Sequence, residues 1–268
     1  HGTPLASFFT TLRGQQLMQL LSLSTIYVLN FGHLPLAALL WMGSLLVRIG
    51  GLVANSDLLD ELFGRLLEDF SPGRRRAVRK LLRDVVRDQA LMLQLTPEAM
   101  EVFNASVLPR PGVRYGAVVA QAAPPSLRSP LGVGLDAGAQ ATHALYRVLH
   151  GLLAFAPGRV SPRLGAAQAR ALQRGYGAVP SPDANDAIVP TRSQAWGRVV
   201  HAAVADHLDV LGHFRDTERR PPHVDWLVTG SHFDRPRFEA LWGDVTQFLL
   251  EAAPRRPKRL VVVLTQAE

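Results

Sequence analysis

Asn185-Asp186-Ala187-Ile188-Val189-Pro190 and Asp206-His207-Leu208-Asp209 are the two stretches on which the reading of this chain turns. They hold an acid and a histidine 21 positions apart. Between them, Gly197-Arg198-Val199-Val200-His201-Ala202-Ala203-Val204 has the β-branched content of a strand. An acid on the loop after one strand and a histidine on the loop after the next can act together. The carboxylate orients the imidazole, and the imidazole takes a proton from a serine hydroxyl. The third partner is missing: no Gly-x-Ser-x-Gly turn, the sharp elbow that exposes such a serine, occurs between His1 and Glu268.

Working outward, Val113–Ala120 reads as a strand introduced by Pro111-Gly112. A helix is expected from Ala137 to Phe155, and the rest of Gln121–Pro182 reads as loop, much of it rich in proline, serine and glycine. Arg235–Leu250 has an amphipathic helical pattern, with Phe238, Leu241, Trp242, Val245, Phe248 and Leu249 on one face. Pro221–Thr229 is a short loop or strand, and the tail ends in the strand-like run Leu260–Leu264.

The N-terminal part is helical by pattern. Gly14–Val47 contains no Asp, Glu, Lys or Arg, and divides at Gly32-His33-Leu34-Pro35 into two apolar parts. Each part is too short or too polar for the roughly 20 continuous apolar residues of a membrane span, so buried or interfacial helices are expected. Ser56-Asp57 caps a helix running to Phe70. Ser71-Pro72-Gly73 opens a basic helix in which Arg74, Arg75, Arg76, Arg79, Lys80, Arg83 and Arg87 oppose Val78, Leu81, Leu82, Val85 and Val86. A solvated face is the commoner meaning of that pattern, and anionic head groups are the alternative. Thr96-Pro97-Glu98 starts a further helix that ends near Asn104.

Composition bounds the rest. At 268 residues, 47% hydrophobic and 19% charged, the chain can bury a sizeable core. Its net charge of +7 comes mostly from arginine and reads as a solvated basic surface; no nucleic-acid partner is expected. The absence of cysteine excludes disulfides and thiolate metal sites and fits either side of a membrane. His1-Gly2-Thr3-Pro4-Leu5-Ala6 reads as the interior of a longer protein, and so the chain is expected to be a fragment or a cleavage product.

Four stretches, in order, resemble the bacterial triacylglycerol lipases of the α/β-hydrolase superfamily. His1–Phe8 resembles the segment that leads into that family's lid. Leu95–Asn104 with Gly112–Tyr115 resembles the helix and strand ahead of the acid. Asn185–Val189, continued by Ser193 and Gly197–Val200, resembles the family's Asn-Asp-Gly-Leu-Val region, and Asp206–Asp209 resembles its Asn-His-Leu-Asp. The departures are Ala187 in place of a glycine, and Ser193 near the position of a cysteine that forms a disulfide in the family.

The resemblance implies an α/β fold: the C-terminal portion of an α/β-hydrolase with a large, mainly helical lid or cap insertion. Residues 1–110 would form the lid or cap, 111–253 the core with the acid and histidine loops, and 254–268 a tail. It implies Asp186 as triad acid, His207 as triad base, and Asp209 as a ligand of a structural calcium ion. No other cofactor is implied, and Asp136 is the position to check for a second calcium ligand.

It further implies a carboxylic-ester hydrolase acting on lipid or ester substrates. The uncharged Gly14–Val47 lid would meet the lipid interface, the protein would be secreted or periplasmic, and its serine and oxyanion hole would lie upstream. This chain alone would then be inactive. Two other readings stay open: a relative that kept the fold and lost its nucleophile, and a peripheral membrane protein held by Gly14–Val53 and the arginine helix.

Individual residues have blander readings too. Asp186 could simply cap a turn, since Asn-Asp pairs favour turns. His207 competes with His232, which also precedes an amphipathic helix; the spacing from Asp186 and the Leu-Asp that follows favour His207. His213 reads as structural, and Ser231 lacks the flanking glycines of a nucleophile elbow.

Overall fold

The computed structural model describes residues 2–31, 63–126, 133–134, 136–155, 162–220, 223 and 225–252. In chain order the elements are α1 (Pro4–Phe9), α2 (Leu12–Phe31), α3 (Pro72–Arg87), α4 (Ala90–Gln94), α5 (Pro97–Ser106), β1 (Gly116–Gln121), α6 (Ala137–Ala154), α7 (Ala166–Tyr176), β2 (Arg198–Val204) and α8 (Arg235–Ala252). Residues 63–68 are also helical. The protein is a mixed helix-and-strand structure around a two-stranded parallel sheet.

The sheet positions the site. β1 and β2 pair from Gly116↔Arg198 to Gln121↔Val204, with one irregularity between Ala117 and Val118. Parallel strands need a long crossover between them, and here it carries α6 and α7. Successive side chains of a strand face opposite ways, and β2 follows that rule. Ala202 meets Gly175 of α7 so closely that there is no room for a side chain at position 175. Its neighbour Ala203 is buried on the other side in a cluster with Phe214, Phe233 and Leu241 of α8. A helix therefore covers each side of the strand, as parallel sheets require.

Most elements follow from their sequence signals. Asp136 caps α6 by accepting from the Ala139 amide at 2.7 Å, and Thr96 caps α5 through the Ala99 amide at 3.3 Å. α3 starts at Pro72 and buries Val78 and Leu82, as its apolar stripe predicts. The first strand begins at Gly116, three residues later than expected, with Gly116 packed closely against Val200 and Phe248.

One helix falls where the sequence carried no reading, and another where loop was expected. α4 is a single short turn ahead of Thr96. α7 lies in the stretch read as loop, because Ala-Ala-Gln-Ala-Arg-Ala-Leu-Gln-Arg-Gly-Tyr is built mostly of small and polar residues and buries only Leu172. It is fixed by local chemistry: Gln168 accepts from the Gly165 amide at 2.9 Å, and Gly177 ends the helix at φ +79°.

A second cluster joins α2 and α3 through Leu20, Leu23, Tyr27, Leu66, Leu67, Phe70, Val78 and Leu82. A third joins α1 to α6 and the acid loop through Leu5, Tyr146, Leu149, Leu153 and Ala187. Among the described residues no helix is long and apolar enough to cross a membrane. The second apolar part of the N-terminal segment, the start of the helix expected from Ser56, and the strand-like Leu260–Leu264 lie outside the described residues.

Candidate active site

The acid loop is built on the end of β1. Just past the strand, the Ala122 amide donates to the Asn185 carbonyl at 3.0 Å. Asn185 is buried and accepts from the Ala187 amide at 2.9 Å. That turn forces Ala187 to φ +74°, a left-handed conformation that L side chains adopt at a cost. A glycine would adopt this conformation without that cost.

The turn aims Asp186 inward, where it is 1% exposed. One carboxyl oxygen, Oδ1, accepts from the amides of Ile188 at 2.9 Å and Val189 at 2.6 Å. The other, Oδ2, accepts from the Gln194 side-chain amide at 3.1 Å. Gln194 is itself locked to β1, accepting from the Ala120 amide at 2.7 Å and donating to the Ala120 carbonyl at 3.1 Å. Sequence reasoning overlooked Gln194, because a glutamine on a turn has no distinguishing pattern. Thr3 adds a tie from the N-terminal segment, donating to the Ile188 carbonyl at 2.5 Å.

The histidine loop leaves the end of β2 beside it. His207 donates its backbone amide to the Asp186 carbonyl at 3.0 Å. Its ring Nδ1 lies 2.9 Å from Asp186 Oδ2. The side chain of His207 is 36% exposed while that of Asp186 is 1% exposed, so the acid stands behind the ring and the ring reaches solvent. Burial lowers the pKa of His207, but the hydrogen bond and charge of Asp186 outweigh it and raise the pKa above its ordinary value. With Nδ1 donating to the acid, Nε2 is left as the acceptor for an incoming proton.

No family model matches this chain, and no curated protein or solved structure matches it either. The site must therefore be read from its own geometry.

The other sequence candidates are placed elsewhere. His232 has φ +52° and its carbonyl accepts from Arg237; it is not paired with Asp186. His213 packs on Trp226 and lies 3.3 Å from a ring nitrogen of His223. Ser231 is buried and donates to Asp209 Oδ2 at 2.9 Å, which makes it a support of the acidic loop. Ser193 is buried beside Gln194. No hydroxyl among the described residues lies within hydrogen-bond distance of His207 Nε2.

Asp209 lies in a cluster, though with different partners from the one checked for in the sequence. Asp136 is an exposed helix cap and does not join it. Asp206, Asp209 and Asp225 instead bring one carboxyl oxygen each within 4.8 Å of one another. Asp206 Oδ1 accepts from the amides of Leu208 at 2.8 Å and Asp209 at 3.0 Å, while its Oδ2 is buried with no partner. Burial and the neighbouring acid raise Asp206 well above the usual carboxyl range, and burial also raises Asp209. Asp225 is pushed up to about 7 by burial and by the charge of Asp209. Hard oxygen donors with an orphaned buried oxygen fit a calcium ion, which takes six to eight oxygens at about 2.3–2.6 Å. Asp225 carried no signal in the sequence; only the return of its loop to the histidine loop brings it there.

Proposed function

We propose that this chain carries the general base and the orienting acid of a serine-type carboxylic-ester hydrolase of α/β-hydrolase architecture. The observation that supports it is the 2.9 Å contact between buried Asp186 and solvent-reaching His207, on neighbouring loops at the ends of two parallel strands. The left-handed turn at Ala187 and the four-stretch resemblance to bacterial lipases point the same way.

In this reading a serine outside the described residues attacks the ester carbonyl. His207 Nε2 takes the serine proton as the carbon–oxygen bond forms, then delivers it to the departing alkoxide as the ester bond breaks. Water repeats the sequence in reverse order and releases the acid product. Asp186 holds the ring in the tautomer with Nε2 free, and stabilises the imidazolium formed in each half. The substrates would be lipids or other esters, and the expected compartment is secreted or periplasmic, as for the lipases that the chain resembles.

Asp206, Asp209 and Asp225 would hold a calcium ion. Bound there, calcium would supply two positive charges that offset the repulsion among three crowded carboxyls and would pin the loop on either side of His207.

A non-catalytic relative is the competing reading, favoured by the lack of a described hydroxyl at His207 Nε2. The test is turnover of short p-nitrophenyl esters by the gene-encoded protein that contains this chain. His207→Ala is expected to lower kcat by about 10⁴-fold or more, Asp186→Asn by about 10⁴-fold, and His232→Ala to leave it nearly unchanged. Activity that survives His207→Ala refutes the assignment. Absence of both turnover and labelling by a fluorophosphonate would establish the non-catalytic relative instead.

A further inference from the structure

Helix α3 breaks the rules of an ordinary solvated helix in two ways. Its first turn carries Arg74, Arg75 and Arg76 and no acid, which sets positive charge against the positive end of the helix dipole. At 100° per residue, Arg75, Arg76, Arg79, Lys80, Arg83 and Arg87 fall within an arc of about 140°. Neighbours three and four apart on that arc are therefore of like sign, which destabilises an isolated helix by about 0.2–0.5 kcal/mol per pair. Asp84 is the single acid of the helix, and it is bonded to Lys80 at 2.6 Å. Among the described residues, no carboxylate lies within ion-pair distance of Arg76, Arg79, Arg83 or Arg87. A local rule broken this consistently marks a functional face, and an external anion would relieve the repulsion.

The surroundings say which anion. Arg79 and Arg83 line a cleft of about 250 Å³ between α2 and α3, together with Gln19, Phe63, Leu67 and Leu82. Two guanidiniums over an apolar floor suit a phosphate attached to hydrocarbon. The chain next enters α4 and α5, which bury no residue and expose Leu91, Leu93, Val102 and Phe103. Exposed apolar side chains that follow a polybasic stripe in the chain suit the boundary between head groups and acyl chains. A nucleic acid would use the arginines and leave the leucines in water.

We infer that the arginine face of α3, centred on the Arg79–Arg83 cleft, docks this protein onto an anionic phospholipid surface. The surface is separate from the Asp186–His207 pair and does not depend on the ester-hydrolase reading.

The experiment is co-sedimentation of the full chain with vesicles of phosphatidylcholine, with and without phosphatidylglycerol. Binding is expected only where phosphatidylglycerol is present, and to fall steeply as salt shortens the screening length. Each arginine near such a surface is worth about fivefold in affinity, so Arg79→Gln/Arg83→Gln should bind about 25-fold more weakly. Arg79→Lys/Arg83→Lys should stay close to wild type, as should Arg219→Gln/Arg220→Gln, which removes the same charge elsewhere. Far-UV circular dichroism verifies that each variant keeps its helices. Equal binding to both vesicle types, no binding to either, or equal loss in the two glutamine pairs overturns the proposal. Displacement from vesicles by short duplex DNA through the same arginines would overturn it in favour of nucleic acid.

Discussion

Asp225→Asn is the most direct probe of the acidic cluster beside His207. In the fold, burial and the Asp209 charge raise Asp225 from 3.8 to about 7, whereas the unfolded chain releases it from both. The native state then holds a proton that the unfolded state gives up, and so stability falls as pH rises between those values. The favourable contribution is complete below about 3.8 and lost by about 7. At about 1.36 kcal/mol per pH unit, the loss by pH 7 is on the order of 4 kcal/mol. Water reaching the partly accessible side chain screens some of it, leaving about 2–4 kcal/mol.

Asparagine removes the titration but keeps the Oδ1 acceptor for the Leu227 amide, now at 3.0 Å. In chelator, Asp225→Asn should match wild type near pH 4 and exceed it by about 2–4 kcal/mol at neutral pH. Calcium should reverse the order. The wild type gains about 2.7 kcal/mol at a hundred times the dissociation constant, while the variant has one carboxylate charge fewer to hold the ion and gains less. Urea unfolding followed by circular dichroism, in chelator and in calcium, measures both differences. Identical pH–stability curves for the two proteins, with no calcium-dependent shift, would refute the argument.

Four further outcomes are expected. Asp186→Asn should lower the pKa of His207 below its ordinary value, since burial remains when the acid's charge is gone; an unchanged imidazole titration by NMR would dissociate the pair. The same linkage makes the wild-type pair's contribution to stability complete below about 6.5 and lost as pH rises through the raised value of His207. Ala187→Gly relieves a left-handed alanine at about 1–2 kcal/mol but removes a buried methyl worth about 0.8 kcal/mol; a net gain of up to about 1 kcal/mol should show as a higher urea midpoint. Gly197→Ala should cost about 3 kcal/mol or more, because Gly197 sits at φ +63° and an added Cβ would collide with the backbone of Tyr115. A near-wild-type melting temperature would show that the start of β2 is placed differently.

Much of the chain was legible because its signals are local. The apolar stripe of α3, the caps at Thr96 and Asp136, the β-branched run of β2 and the amphipathic pattern of α8 each lie within one turn or a few residues of what they specify. α7 was illegible because small and polar residues make up most of it and Leu172 is its one buried residue, so that its close packing on β2 through Gly175 leaves few large apolar side chains to read. In the site, Asp186 and His207 stood out by residue type and spacing, whereas Gln194 and Asp225 did not. A glutamine that locks an acid to a strand, and an aspartate that returns on a later loop, look like any other polar loop residue until the chain folds.

By itself the sequence determined most of the helices, the two strands, the absence of thiol chemistry and the pairing in order of one acid with one histidine. The tertiary structure decided which histidine meets Asp186, which acids gather beside it, and which arginines converge on one cleft. The physical reason is range. Caps, periodicity and turn strain act over a few residues and are written along the chain. A 2.9 Å contact between residues 186 and 207, or a carboxyl cluster drawn from positions 206, 209 and 225, exists only after the parallel pairing of β1 and β2 has fixed where their loops end.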